Sequence, residues 1–183
     1  MTSTFLLNNA KYAANFDQGA LALPPSKGAI VLCCMDARVD PLGIFGLDIG
    51  EAHVIRNAGG RAIDAIRSIV ISQGFGTSEI AVVHHTDCGG FTFTSDEISH
   101  KIKHGAHDEP AVVHAVDSIG DWGTQKGVSL ENSVAVDVEL LRNHPLVLKN
   151  TKVTGWVYDV RTGRVAQTVR DDGYSHLNED AHL

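Results

Sequence analysis

AIVLCCMDAR, residues 29–38, decides the fold. Its first six residues are a continuous apolar run, the pattern of a strand buried on both faces of a parallel sheet. Its last residues switch to chemistry: a second cysteine, an acid and an arginine. EIAVVHH, residues 79–85, is a second run of the same kind and ends on two histidines. EAHVIRNAGG, residues 51–60, holds a shorter strand around His53 to Ile55 that runs into a glycine turn. Between these strands, RAIDAIRSIVISQG, residues 61–74, places Ala62, Ile63, Ile66, Ile69 and Val70 on one helical face, and Gly74 can end that helix.

The rest of the chain continues the alternation. Thr94 and Glu97 have capping-box spacing ahead of a helix through about Lys103. Pro110 suits the first turn of a helix over AVVHAVDSI, and a further helix from about Ser133 to Asn143 stops before Pro145. KVTGWVYDVRTGRVAQTV reads as a hairpin around Arg161-Thr162-Gly163. Strands alternating with helices predict an α/β fold, a three-layer sandwich around a mainly parallel central sheet. The break ALPPSKG, residues 22–28, separates residues 1–26, an N-terminal helical arm, from a single α/β domain over 27–183. In the arm, Leu6, Leu7, Ala10, Ala13, Ala14 and Phe16 lie roughly on one side, for packing on the arm's own domain or on a partner subunit.

The bulk numbers exclude several classes. A chain of 183 residues fits one domain with a full core. Its formal net charge of -7 leaves no basic stripe to neutralise phosphates, so no nucleic-acid partner is expected. No apolar run reaches the roughly 18 residues of a membrane-spanning helix, and MTSTFLLNNAKYAANF lacks the basic start and long apolar core of an export signal. No membrane partner is expected, and the cytoplasm is the expected location. Three cysteines cannot form a complete set of internal disulfides, and adjacent cysteines have poor geometry for bridging.

In open parallel sheets, ligands collect beyond the carboxyl ends of the strands. The polar residues of this chain follow that rule. If the extended conformation persists through Arg38, then Cys34, Asp36 and Arg38 share one face, while Cys33, Met35 and Ala37 form a packing face. His85-x-x-Cys88 places an imidazole and a thiolate within reach of one ion. With Cys34 they make a Cys₂His set, which suits zinc. The fourth position is either water, giving a catalytic site, or Asp36, giving a closed one. Arg38 can hold Asp36 off the metal by a bidentate pair, leaving the carboxylate to orient a zinc-bound water whose pKa is near ~7.

Other candidates read more plainly. Cys33 is a small buried side chain, and His84, facing opposite to His85, packs or hydrogen-bonds. His100, His104 and His107 belong to a solvated helix end rather than a second metal site. Asn57 to Gly60 form a tight turn that brings backbone near the pocket, with Gly59 and Gly89 as backbone contacts to substrate. Asp87 and Arg56 support the site or an interface.

CMDAR (34–38), GEAHVIRNAGG (50–60) and HHTDCGG (84–90) resemble, in order and spacing, the three signature blocks of the β-class carbonic anhydrases. VTGWVYDVRTG, residues 153–163, resembles that family's C-terminal strand region, so the likeness spans roughly Lys27 to Val169. The resemblance implies an α/β fold, one Zn²⁺ per subunit on Cys34, His85 and Cys88, and an aspartate–arginine dyad at Asp36 and Arg38. It also implies attack of zinc hydroxide on CO₂ to give bicarbonate. The assembly it implies is a homodimer or homotetramer, with sites near the subunit interface and the N-terminal helix clasping the partner. Phe91 to Gly127 differs from the longer plant and enteric-bacterial forms and is closer to a compact subgroup. Carbonyl sulfide and carbon disulfide hydrolases share the same ligands and dyad. Hydrolysis of carbonyl sulfide is therefore the alternative reaction, with carbon disulfide behind it.

Overall fold

The computed structural model of the chain describes residues 2–171; residues 172–183 of the expected main domain lie outside the described residues. Ten elements follow one another: α1 (Thr2–Ala14), β1 (Ala29–Cys34), β2 (Ala52–Asn57), α2 (Ile66–Gln73), β3 (Glu79–His85), α3 (Ser95–Gly105), α4 (Pro110–Ile119), α5 (Leu130–Asn143), β4 (Lys152–Tyr158) and β5 (Val165–Val169). The five strands form one sheet in the order β2-β1-β3-β4-β5. The first four are parallel, and β5 returns antiparallel to β4 through a turn in which Gly163 has φ 70°. This is the expected α/β architecture.

Strand parity distributes the core. Ile30, Leu32, Ile80, Val82 and Val153 face one side, where Ile69 of α2 and Val134, Val138 and Leu141 of α5 cover them. Gly155 allows the close approach of α5, because a Cβ there would run into Val134 and lie 3.0 Å from Val169. Val31, Cys33 and Val83 face the other side, under Val39, Ile44, Phe45 and Leu47. That layer includes the 3₁₀ segment Gly43–Phe45, ended by Gly46 at φ 61°. Phe45 meets the Trp156 ring edge-on, with centroids 5.3 Å apart.

Three local expectations shift. The extension does not persist beyond Cys34. The Asp36 carboxylate accepts from Arg38 N at 2.9 Å and the Asp36 carbonyl from Val39 N at 3.0 Å, so residues 36–39 are a turn. Met35, expected in a packing face, is 66% exposed, and Ala37 is exposed too. The helix expected from Arg61 begins as the 3₁₀ turn Ile63–Ala65 and becomes α-helical at Ile66. The Asn57 side chain accepts from Arg61 N at 2.7 Å and donates to Arg61 O at 2.8 Å, which holds Arg61 extended and delays the helix. Helix α5 starts one turn earlier than expected, because Ser129 caps it by accepting from Asn132 N. The capping box at Thr94 and Glu97 and the proline opening α4 are as expected.

Helix α1 does not bury its apolar side on this chain. Every side chain from Ser3 to Asp17 is exposed, with Phe5 at 64%, Leu6 at 69% and Leu7 at 65%. Among the described residues no helix is long and apolar enough to cross a membrane.

Candidate metal centre

The sheet order changes direction at β1: its next strand in sequence, β2, lies on one side, and β3 lies on the other. A crevice opens at such a switch point beyond the carboxyl ends of the strands. Cys34 is the last residue of β1 and His85 the last of β3, and Cys88 follows three residues later. Their ligand atoms lie within 4.8 Å of one another, and all three residues are buried. No other group of three or more His, Cys, Asp or Glu is so placed among the described residues. His100 and His104 stack on the exposed face of α3, with ring centroids 6.0 Å apart.

The backbone around the cluster is built tightly. Gly60 has φ 71°, and a Cβ there would lie 2.9 Å from Cys33 C and Cys34 N, so only glycine lets the turn after β2 rest on the end of β1. The same turn aims the Gly59 amide at the Cys34 sulfur. Across the cluster the Gly90 amide faces the Cys88 sulfur, while Gly89 is exposed. Arg56 donates to the Cys34 carbonyl at 3.0 Å and the Asp36 carbonyl at 2.6 Å, pinning the exit of β1.

Electrostatics follow from two sulfurs 3.9 Å apart. The hydrogen bond from the Cys88 thiol pulls Cys34 down to about 4 against the effect of burial, helped by His85 and the amides of Asp36 and Gly59. Cys88 is pushed up by its bond to Cys34 and by burial. A cation takes the place of the thiol proton, as it does wherever thiolates bind metal. For His85, burial is the largest effect and opposes the charged form, but Cys34, the Thr86 carbonyl and Asp36 together outweigh it and raise its pKa. Cys33, one residue from Cys34, is pushed by burial up to about 11, the behaviour of an inert core thiol.

The donor set fits Zn²⁺. His85 Nδ1 lies 2.9 Å from the Thr86 carbonyl, which leaves Nε2 as the free ring nitrogen. That Nε2 is buried and has no hydrogen-bond partner. A buried orphan nitrogen beside two sulfurs satisfies the requirement of a Cys₂His zinc site with one position left open.

Beside that position stands the Asp36–Arg38 pair. Arg38 Nε and Nη2 reach the two Asp36 oxygens at 3.0 and 2.8 Å, and Arg38 Nη1 reaches Asp87 at 2.7 Å. The Arg38 side chain, and then its N–H, hold the Asp36 carboxyl well below the usual carboxylate range. Asp36 Oδ2 lies 3.9 Å from His85 Nε2, at the mouth of the cluster. Asp87 takes a left-handed backbone at φ 56°, one that aspartate tolerates better than most residues. Sequence reasoning placed Asp87 and Arg56 only as supports. It did not find Gly90, nor the contact of Arg61 with Asp137 behind the cluster.

Residues 29–165 match the family model for carbonic anhydrase. The chain is 39% identical over 167 residues to β-carbonic anhydrase 1 of Mycobacterium tuberculosis, covering 90% of this chain and 96% of that protein. It is 35% identical over 159 residues to a carbon disulfide hydrolase of Acidithiobacillus thiooxidans, covering 79% of each. The solved carbonic anhydrase from Glaciozyma antarctica superposes with a TM-score of 0.81 at 44% identity, covering 90% of this chain and 95% of that one.

The two adjacent cysteines give a direct test. Cys34→Ser is expected to lose zinc, measured as metal per chain after dialysis, whereas Cys33→Ser keeps a full complement. Zinc retained by Cys34→Ser would overturn the assignment.

Proposed function

The chain belongs to the β-carbonic anhydrase family, and from that premise we propose that it hydrates CO₂ reversibly to bicarbonate at one zinc ion per subunit on Cys34, His85 and Cys88. The observation that carries the attack chemistry is the position of Asp36, and the similarity to β-carbonic anhydrase 1 supports CO₂ as the substrate. Both Asp36 oxygens are bound by Arg38, so the carboxylate stands beside the cluster without filling it.

When bound, zinc supplies a hydroxide nucleophile from water near neutral pH. The protein's own groups do the rest. Asp36 keeps its charge, because Arg38 holds its carboxyl far below neutrality. It therefore acts as a hydrogen-bond acceptor and not as the base that removes a proton. Its Oδ2 retains a lone pair toward the cluster and fixes the direction of the nucleophile. Arg38 is itself fixed from a second side by the side chain and the carbonyl of Asp87, at 2.7 and 3.0 Å. Orientation of this kind is worth a factor of about 10² in rate for a misplacement near 1 Å.

A second reading has its own support. A carbon disulfide hydrolase is 35% identical to this chain, which supports a sulfur substrate as the alternative. Carbonyl sulfide and carbon disulfide are linear and uncharged like CO₂, and the ligands and dyad do not distinguish them.

The free, buried thiols suit a reducing compartment, which supports a cytoplasmic location. We also propose a homodimer or homotetramer. Its support is helix α1, whose exposed Phe5, Leu6 and Leu7 would gain by burial on a second subunit. Sedimentation equilibrium should then give a multiple of the 19.6 kDa chain mass, and a monomer at micromolar concentration would reject the proposal.

On one zinc-loaded preparation, stopped-flow CO₂ hydration is measured beside sulfide release from carbonyl sulfide and carbon disulfide. Fast hydration without sulfide is the expected result, and sulfide with negligible hydration would replace the first reading by the second. Asp36→Asn is expected to keep zinc and lose about 10²-fold in turnover, since an amide is a poorer and ambiguous acceptor. Full activity in that variant would remove Asp36 from the mechanism.

A further inference from the structure

Helix α5 carries polar groups where its pattern calls for apolar ones. Val134, Val138 and Leu141 form its buried stripe, and Ser133 and Asp137 lie in that same stripe, each at 0% exposure. A carboxylate stays in such a place only when it is paired and fully hydrogen-bonded. Asp137 accepts from Arg61 Nε at 2.9 Å, Arg61 Nη2 at 3.2 Å and the Ala62 amide at 3.2 Å, and His84 Nε2 lies 3.2 Å away.

The contacts continue into a ring that the 3.2 Å approach of His84 to Asp137 completes. His84 Nδ1 lies 2.6 Å from Ser133 Oγ, and Ser133 Oγ meets the Gln125 side chain. With the Gln125 amide nitrogen assigned to Ser133, as its neighbours require, the amide oxygen accepts from Arg61 Nη1 and Nη2 at 2.9 and 3.0 Å. Directions agree along the chain: Arg61 donates to Asp137 and to Gln125, Gln125 donates to Ser133, and Ser133 donates to His84. The last link is a 3.2 Å contact of His84 Nε2 with the Asp137 carboxylate that lacks hydrogen-bond geometry. Linked buried polar groups of this kind stiffen the segments they join.

The ring reaches each part of the cluster, Cys34 through the turn after β2 and His85 and Cys88 through their own segment. Arg61 ends the turn whose Gly59 amide faces Cys34 and whose Gly60 rests on the Cys33–Cys34 peptide. His84 directly precedes His85. Gln125 N donates to the Gly90 carbonyl at 2.9 Å, and the Gly90 amide faces Cys88. Arg61 Nη1 also donates to the Gly123 carbonyl at 2.6 Å, fixing the same loop.

We propose that the Arg61–Gln125–Ser133–His84–Asp137 ring is the positioning frame of the metal centre, setting the spacing of Cys34, His85 and Cys88 from behind. This rests on the reading of those three as ligands. None of the five ring residues is a catalytic residue; each acts through the segment it holds. A ring that served only to fasten α5 to the sheet would raise stability without tuning the metal.

The test separates those roles on the full-length chain. Ser133→Ala and Gln125→Ala open the ring at two points, and Val138→Ala removes apolar packing from the same helix. Zinc affinity is measured by competition with a chelator, and geometry by the visible d–d absorption of the Co²⁺-loaded protein. The ring variants are expected to bind zinc about 10- to 100-fold more weakly and to shift the cobalt bands. Val138→Ala is expected to lower the melting temperature and leave both metal readouts unchanged. Gln125 lies in a loop outside the α5 core, so its variant reports even if Ser133→Ala does not fold. Ring variants with wild-type zinc affinity and cobalt spectrum overturn the frame, whatever their melting temperatures. A wild-type chain that takes up neither metal overturns the ligand reading, and the frame with it.

Discussion

Two sulfur atoms 3.9 Å apart in the interior, with a partnerless imidazole nitrogen beside them, set the terms for the rest of the molecule. Two thiolates cannot both ionise at that distance in a buried site without a cation. Holding them there requires backbone from three strands to converge. The parallel pairing of β1 with both β2 and β3 brings the strand ends level, with Cys33 opposite both Arg56 and Val83. Gly60 then allows the turn after β2 to close on the end of β1. The Cys88 thiol, then His85 and the amides of Asp36 and Gly59, lower the pKa of Cys34 against the effect of burial. The fold thus presents two sulfurs and an imidazole that together could hold a metal cation.

From that constraint the surrounding chemistry is ordered outward. Arg56 holds the carbonyls of Cys34 and Asp36. Arg38 holds the carboxylate of Asp36 and is held in turn by Asp87. These contacts govern how a nucleophile at the open position would be aimed. They do not choose among CO₂, carbonyl sulfide and carbon disulfide, which share shape and lack of charge. Selection among them depends on the side chains that wall the mouth.

Much of this was legible in the sequence because the relevant signals are local. A buried strand ending at Cys34, another ending at His85, and Cys88 three residues on place the cluster by strand direction alone. The parts that were not legible have specific causes. Strand alternation assigned Met35 and Ala37 to the core, but the Asp36 carboxylate captures Arg38 N and turns the chain. The pair of Asp36 with Arg38 survived that error because a turn brings residues two apart together as well as a strand does. The buried ring joins residues as far as 76 positions apart, and no local pattern encodes such a contact. Its single trace in the sequence is Ser133 and Asp137 standing in the apolar stripe of α5.

X-ray absorption at the zinc edge of the metal-loaded chain tests the central assignment most directly. The expected first shell has two sulfurs near ~2.3 Å and one imidazole nitrogen near ~2.0 Å, with a light atom completing the tetrahedron. A shell with one sulfur or none would contradict the joint ligation of zinc by Cys34, His85 and Cys88.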